Sequence, residues 1–128
     1  MRTLLRRMIA GLVILMAGCG TAQPTSVGGK SADYWVRALR DPDARLRRRA
    51  ALKLGNAGPV DATIIPALIE ALQDRDSSVR TQAVLALLRI GPAAREASSA
   101  LEERATKDRD ATVRAYAIKA LEKVQQGS

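Results

Sequence analysis

The sequence contains no histidine, no phenylalanine and a single cysteine, Cys19. Without histidine or a second thiol, the chain lacks the usual ligands of a zinc site, and no intrachain disulfide can form. No serine lies in a nucleophile-elbow or Ser-x-x-Lys pattern, and the stretch from Gly55 to Gly58 is too short for a phosphate-binding loop. The sequence therefore predicts no catalytic site, no metal and no cofactor.

Aromatic residues are also scarce, at 2% of the chain against 47% hydrophobic residues. The core must therefore be aliphatic and rich in alanine, which favours closely packed helices. Most glycines and prolines cluster at 18–29, at 55–59 and at Gly91-Pro92, so the segments between these clusters contain few helix breakers.

Long apolar runs are missing, and the most apolar stretch, from Met8 to Gly18, is uncharged over about eleven residues. A membrane-spanning helix needs roughly 20 residues to cross a hydrocarbon core of about 30 Å. Arg2, Arg6 and Arg7 precede this run, and small residues end it. Residues 1–18 therefore predict a cleaved signal peptide.

The segment Leu15-Met16-Ala17-Gly18-Cys19 resembles a bacterial lipobox. The resemblance implies that Cys19 becomes the mature N-terminus and carries a thioether-linked diacylglycerol, usually with a third, amide-linked chain. Acyl chains contribute about 0.8 kcal/mol per buried methylene, so several chains anchor a protein stably. The expected location is the cell envelope, on the periplasmic side of the outer membrane in a Gram-negative cell. The alternative is an ordinary secretory signal with an incidental cysteine.

Residues 19–30 are polar, contain glycine and proline, and show no apolar periodicity. They predict a flexible tether, or equally a disordered leader, after the lipidated N-terminus. A tether of this length would hold the following domain about 15 to 20 Å from the membrane.

A ten-residue pattern, Asp-x-Asp-x-x-aliphatic-Arg-x-x-Ala, occurs three times, starting at Asp41, Asp74 and Asp108. The spacings of 33 and 34 residues are typical of stacked helical hairpins. We therefore predict an all-α protein, an α-solenoid of three helical hairpins over residues 31–126. The repeats cover about 31–58, 61–92 and 93–126.

The second aspartate of each pattern stands three residues before the buried aliphatic residue. Asp43, Asp76 and Asp110 are therefore expected to cap the second helix of each hairpin by accepting its free backbone N–H groups. Gly55 or Gly58, and later Gly91 with Pro92, are expected to end second helices.

The segment from Ile64 to Pro92, "IIPALIEALQDRDSSVRTQAVLALLRIGP", resembles bacterial HEAT repeats related to phycobilisome-lyase subunits, and the likeness extends over about Ser31 to Gln125. It implies that the first aspartate of each turn pairs with an arginine of a neighbouring repeat, and that these pairs form a ladder along the turns. Because every repeat carries these residues, their role is expected to be structural and not catalytic. They are Asp41, Asp74 and Asp108, with Arg47, Arg80 and Arg114.

The resemblance also implies that the second helices line a concave binding side. Positions there that are neither buried nor part of the arginine ladder form a basic strip with apolar and aromatic interruptions. This composition suits a partner with acidic and hydrophobic side chains, although a solvated basic face is the alternative. The predicted partner-binding residues are Arg48, Arg49, Leu52, Gln82, Leu85, Arg89, Tyr116, Lys119 and Lys123.

These features predict a membrane-tethered scaffold that binds another protein and is not an enzyme. The family likeness offers a bilin lyase or isomerase subunit as an alternative, against which stand the export signal and the short array. A third possibility is binding of a polyanion or anionic lipid. Removing three arginines with the signal leaves 18 basic and 13 acidic residues, a moderate net charge of +5, so nucleic acid is not expected.

The two ends of a solenoid need covering. Tyr34 and Trp35 are expected to cover the N-terminal face, and the polar end of the last helix is expected to finish the C-terminal one. An end that keeps an apolar face would allow a homodimer by end-to-end stacking.

Overall fold

The structure, a computed structural model, describes residues 25–127. The helices of the described part form three consecutive hairpins, which confirms the predicted all-α solenoid. The first hairpin comprises α1 (Ala32–Ala38) and α2 (Ala44–Ala57), the second α3 (Ile64–Ala71) and α4 (Ser77–Ile90), and the third α5 (Ser98–Lys107) and α6 (Ala111–Gln125). A 3₁₀ segment, Gly91–Ala97, joins the second hairpin to the third. Within residues 25–127, no helix is long and apolar enough to cross a membrane.

A small β-hairpin precedes the helices. Strand β1 (Ser26–Val27) pairs antiparallel with β2 (Lys30–Ser31), and Gly28 and Gly29 form the turn with φ of +54° and +82°. Val27 is buried, and its carbonyl accepts a hydrogen bond of 2.6 Å from Nε1 of Trp35. The prediction of a tether over residues 19–30 is therefore wrong for residues 26–30. The two glycines supply the positive φ of a tight turn and not flexibility.

Local capping explains where the helices begin and end. Asp43, Asp76 and Asp110 have extended backbones, and each carboxylate accepts the N–H two residues further on at 2.8 to 2.9 Å. Gly58 and Gly91 end α2 and α4 with φ of +75° and +72°, a region that favours glycine. Gly55, the other candidate for the end of α2, lies inside that helix.

The second helices pack more closely on one another than the first helices do. Gly55 shows how close α2 and α4 come, because a Cβ at this position would lie 2.6 Å from both Cα and Cβ of Ala86. Since the row of second helices is the more tightly spaced, the array curves toward it. Helices α2, α4 and α6 therefore form the concave side.

The core between the two layers is aliphatic throughout. Ala50, Ala83 and Ala117, the alanines that close the repeated pattern, are fully buried, as are Leu68 and Leu101 of the first helices. Trp35 is the one large aromatic side chain in this core and is 5% exposed. The turns and the concave faces of the second helices are thereby held in a fixed arrangement.

Candidate functional site

The turns of neighbouring repeats are joined by buried arginine–aspartate pairs. The guanidinium of Arg47 donates to both carboxylate oxygens of Asp74, at 2.8 and 3.1 Å. Arg80 donates in the same way to Asp108, at 2.9 and 3.0 Å. Each arginine also donates to a carbonyl of its own turn, from Arg47 to Asp41 and from Arg80 to Asp74. Every rung therefore fixes one turn to the next.

These pairs are charged although they lie away from water. The side chain of Asp108 is fully buried and that of Arg80 is 12% exposed. Burial raises the pKa of Asp108, but the hydrogen bonds from Arg80 and the N–H of Asp110 outweigh it, so the net pKa is below its ordinary value. The hydrogen bond to Asp108 raises the pKa of Arg80. Both groups are therefore ionised at neutral pH.

The turn aspartates already have structural roles. The first aspartate of each turn accepts the N–H of the second at 2.9 Å, and the second caps the following helix. Hydrogen bonds from the hydroxyl and N–H of Ser78 lower the pKa of Asp76. Because these carboxylates are used by the backbone and the ladder, they are structural groups.

The ladder is incomplete at both ends. Nη1 of Arg114 donates to the carbonyls of Asp108 and Arg109, at 2.7 and 3.2 Å, but no carboxylate in residues 25–127 pairs with it. The carboxylate of Asp41 accepts the N–H of Asp43 and receives no arginine side chain from the described residues. Three repeats therefore give two rungs.

The predicted partner-binding residues lie along the second helices. The cationic members are exposed and the others are partly buried, so charged side chains extend above an apolar floor. The exposed set is Arg48, Arg49, Arg89, Lys119 and Lys123, and the partly buried set is Leu52, Gln82, Leu85 and Tyr116. We call these nine residues the concave strip.

The N-terminal part of the concave strip forms a groove of about 250 Å³ between α2 and α4. Arg48, Arg49, Leu52 and Gln82 line it, together with Arg45, which the sequence analysis did not include. Arg45 could have been found from its place in the Arg45–Arg49 run, one turn before Arg48 and Arg49. The structure therefore brings four of the nine predicted residues into one site, while Tyr116, Lys119 and Lys123 belong to α6.

The charge of the concave strip is not neutralised within the domain. Helices α2 and α4 contain no acidic residue, and α6 contains only Glu122. On the side of the first helices, by contrast, Arg37 of α1 pairs with Asp33 at 2.9 Å, and Arg40, just after α1, pairs with Glu70 of α3 at 2.8 Å. Throughout the part of the chain that the structure describes, no carboxylate forms an ion pair with a cation of the concave strip.

Two polar details add to this surface. Oε1 of Gln82, in the wall of the groove, is buried and accepts no hydrogen bond from the described residues. On α6, Nζ of Lys119 lies 5.6 Å from the ring centre of Tyr116, within the range of a cation–π contact. The unused acceptor of Gln82 depends on side-chain packing and leaves no signal in the sequence.

Nothing in residues 25–127 brings together three or more His, Cys, Asp or Glu side chains that could hold a metal ion. Cys19, the predicted lipidation site, lies outside the described residues. The concave strip is therefore the candidate site that the described residues form, and its chemistry is that of an unpaired cationic surface with an apolar floor.

Comparisons with known proteins agree with this architecture. The family model described as "HEAT repeats" matches residues 32–122. Among solved structures, the chain is similar to the crystal structure of an engineered protein, a Northeast Structural Genomics Consortium target, with 29% identity and a TM-score of 0.64. The match covers 76% of this chain and 46% of the other, so the chain spans less than half of that protein. No curated protein matches the chain.

Proposed function

Because the chain belongs to the HEAT repeat family, we propose that its concave strip binds an extended acidic segment of another protein. HEAT repeats usually act as scaffolds for protein–protein interaction. A family of this kind favours a binding module over an enzyme. The bilin lyase and isomerase alternative receives no support from a particular residue.

The observation that carries the proposal is the unpaired charge of the concave strip. Its five exposed cations have no carboxylate partner in the described residues, whereas Arg37, Arg40, Arg47 and Arg80 each pair with a carboxylate. Like charges gathered on one face repel each other, and an anionic partner would relieve that repulsion. Complementary charge of this kind increases both the association rate and the specificity.

The groove indicates how such a segment would be held. Carboxylates of the partner would pair with Arg48 and Arg49, where a bidentate guanidinium contact adds geometric selectivity. Rotation of the Gln82 side chain would bring Oε1, which is buried and has no donor in the described residues, to the groove, where a backbone N–H of the partner would donate to it. Apolar side chains would lie on Leu52 and Leu85. An extended peptide has all three of these groups at short intervals.

The second part of the proposal concerns location. If the lipobox-like sequence is processed, Cys19 anchors the domain to the cell envelope through its acyl chains, and the concave strip acts close to a membrane surface. The segment between Cys19 and Thr25 would then be the tether, shorter than the sequence alone predicts, because the domain starts at the β-hairpin.

The binding proposal is tested by affinity purification from envelope membranes with a charge-reversed variant, Arg48→Glu/Arg49→Glu/Arg89→Glu. The matched control, Arg75→Glu/Arg95→Glu/Arg109→Glu, changes the net charge equally at exposed residues outside the concave strip. We expect partners that are retained by the wild type and the control, are lost with the strip variant, and bind only moderately more weakly as the salt concentration is raised.

If the control loses the same partners, general electrostatic attraction and not the concave strip is responsible. If binding collapses steeply with salt for any polyanion, including acidic vesicles, the site is a polyanion-binding surface. If neither variant loses a partner, the concave strip is a solvated face and the proposal fails.

The anchoring proposal has a separate test. Palmitate labelling and membrane fractionation are compared between the wild type and Cys19→Ala. We expect labelling and membrane association to disappear in the variant. A variant that remains in the membrane fraction would show that Cys19 is not the anchor, without affecting the proposal for the concave strip.

A further inference from the structure

The outer face of α6 has the character of an internal repeat junction, and no element of the described residues covers it. Ile118 is 50% exposed, whereas the residues at the same place in the first two repeats, Ala51 and Val84, are fully buried by the repeat that follows. Leu121 is likewise partly exposed where Leu54 and Leu87 are fully buried. We call Arg114, Ala115, Ile118, Leu121 and Glu122 the terminal face.

The terminal face also lacks the charge partner that internal junctions have. Arg47 and Arg80 each pair with an aspartate of the next repeat, but Arg114 has only carbonyl partners among the described residues. Glu122 is exposed on the same face, two helical turns beyond Arg114, and forms no ion pair with the described residues. The face therefore presents one unpaired charge of each sign, separated by the exposed Ile118.

From this arrangement we infer that the terminal face binds a second copy of the chain, tail to tail, with the two α6 helices antiparallel. A two-fold axis at Ile118 places residue n of one copy opposite residue 236 − n of the other. Arg114 of each copy then meets Glu122 of the other, and Leu121 meets Ala115. An interface that is complementary to itself in this way is what a closed two-fold dimer requires.

Stacking head to tail, in which Asp41 would receive Arg114 of another copy, is blocked by the β-hairpin. At the internal junction Gly55 of α2 packs on Ala86 of α4, and the residue of the first repeat that corresponds to Ala86 is Lys53. Lys53 is already covered, because a Cβ on Gly28 would lie 2.9 Å from its Cδ. A second helix from another copy therefore has no close approach to α2.

The terminal face is distinct from the concave strip. On an α-helix successive residues are 100° apart, so Lys119 points about 100° around the axis from Ile118. Dimerisation through Ile118 therefore leaves Lys119 and Lys123 accessible. Two copies joined at their last repeats would present two concave strips, and neither strip would be obstructed by the interface.

Single-cysteine crosslinking tests the inference in the full chain. Cys19→Ser removes the native cysteine, and Ile118→Cys or Lys119→Cys then provides one reactive thiol. With a short bismaleimide we expect a covalent dimer from Ile118→Cys and at least tenfold less from the matched control Lys119→Cys. Equal yields from the two positions, or no dimer from Ile118→Cys, would overturn the inference.

A charge swap in the Ile118→Cys chain tests the antiparallel register. Glu122→Arg places like charges opposite each other at two symmetric positions, and we expect about tenfold weaker association. Adding Arg114→Glu restores opposite charges and should restore the crosslinking yield. Glu96→Arg, an equal charge change at an exposed residue outside the terminal face, should leave the yield unchanged.

Failure of the double swap to recover the yield, with unchanged circular dichroism, would exclude this register. A final test mixes Ile118→Cys with Leu46→Cys, which places a thiol at a partly buried position near the start of α2, in the first repeat. A mixed crosslinked dimer would join the last repeat of one copy to the first repeat of the other. It would therefore show head-to-tail stacking and contradict the two-fold arrangement.

Discussion

Arginine has opposite roles in two regions of the molecule. One is the concave strip, and the other is the row of Asp-x-Asp turns with the arginines that pair with them, which we call the turn edge. At the turn edge Arg47 and Arg80 are buried or nearly so and bidentate with aspartate, and the pattern repeats from hairpin to hairpin. On the concave strip Arg48 and Arg89 are exposed, unpaired within the described residues, and differ from repeat to repeat. Residues that recur in each copy hold the copies together, while those that vary are available to a partner.

The largest loss of unfolding free energy is expected from removing a ladder arginine. Arg80→Ala leaves the fully buried carboxylate of Asp108 without its main counter-charge, which costs about 3 to 5 kcal/mol of unfolding free energy. The matched change on the concave strip, Arg89→Ala on the same helix, should alter stability by less than about 0.5 kcal/mol. Urea denaturation of the two variants gives both values, and equal losses would refute the distinction.

The second-largest loss of unfolding free energy is expected from acid, which acts on the buried carboxylate of the turn edge. The pKa of Asp108 is lower in the folded chain than in the unfolded one, so its contribution to stability is present above about pH 4 and is lost as the pH falls through the folded pKa. Unfolding free energy should therefore decline below about pH 4. Asp108→Asn should show a shallower decline, measured by thermal melts from pH 7 to 2. An unchanged slope in the variant would show that Asp108 is not part of the acid response.

The smallest effect in this series is loss of a helix cap. Asp76→Ala removes the hydrogen bonds to the N–H and hydroxyl of Ser78, and a cap of this type contributes about 1 kcal/mol. Gln82→Ala, at the concave strip, removes an oxygen that has no partner in the described residues and should be close to neutral. Chemical denaturation of the two variants measures both losses of unfolding free energy. The loss for Asp76→Ala should be larger than that for Gln82→Ala.

Much of the fold follows from short-range rules that can be applied to the sequence. The spacing of the three Asp-x-Asp turns indicates the number of hairpins, because each turn is followed by a helix with a regular apolar face. Capping depends on a carboxylate and N–H groups two or three residues away, so the helix starts at Ala44 and Ser77 lie one residue after an aspartate.

The β-hairpin could not be predicted in this way. Strands of two residues are too short to show alternation, and the burial of Val27 depends on the indole of Trp35, eight residues further along the chain. The role of Gly55 was also hidden, because the residue that excludes a side chain there, Ala86, belongs to the next repeat. Both features arise from contacts between segments that the sequence places apart.

The candidate site was predicted in outline but not in detail. The nine residues of the concave strip follow from the resemblance, which places the second helices on the binding side, but the groove is made by two different helices and includes Arg45. Whether a cation is paired depends on the position of carboxylates in space, which composition does not give. Arg80 and Arg114 are identical in the repeated pattern and differ because the described residues hold an aspartate of a following turn for Arg80 but not for Arg114.

The β-hairpin determines how the domain would respond to a pulling force. Thr25 O accepts the N–H of Ala32 at 3.0 Å, and the hairpin and the Trp35–Val27 hydrogen bond follow. Tension applied ahead of Thr25 would act on these bonds one after another, so they would open as a zipper does, at low force. The helices would carry load only after the hairpin had come away, and the hairpin would then serve as an extensible link that protects the repeat stack from mechanical unfolding.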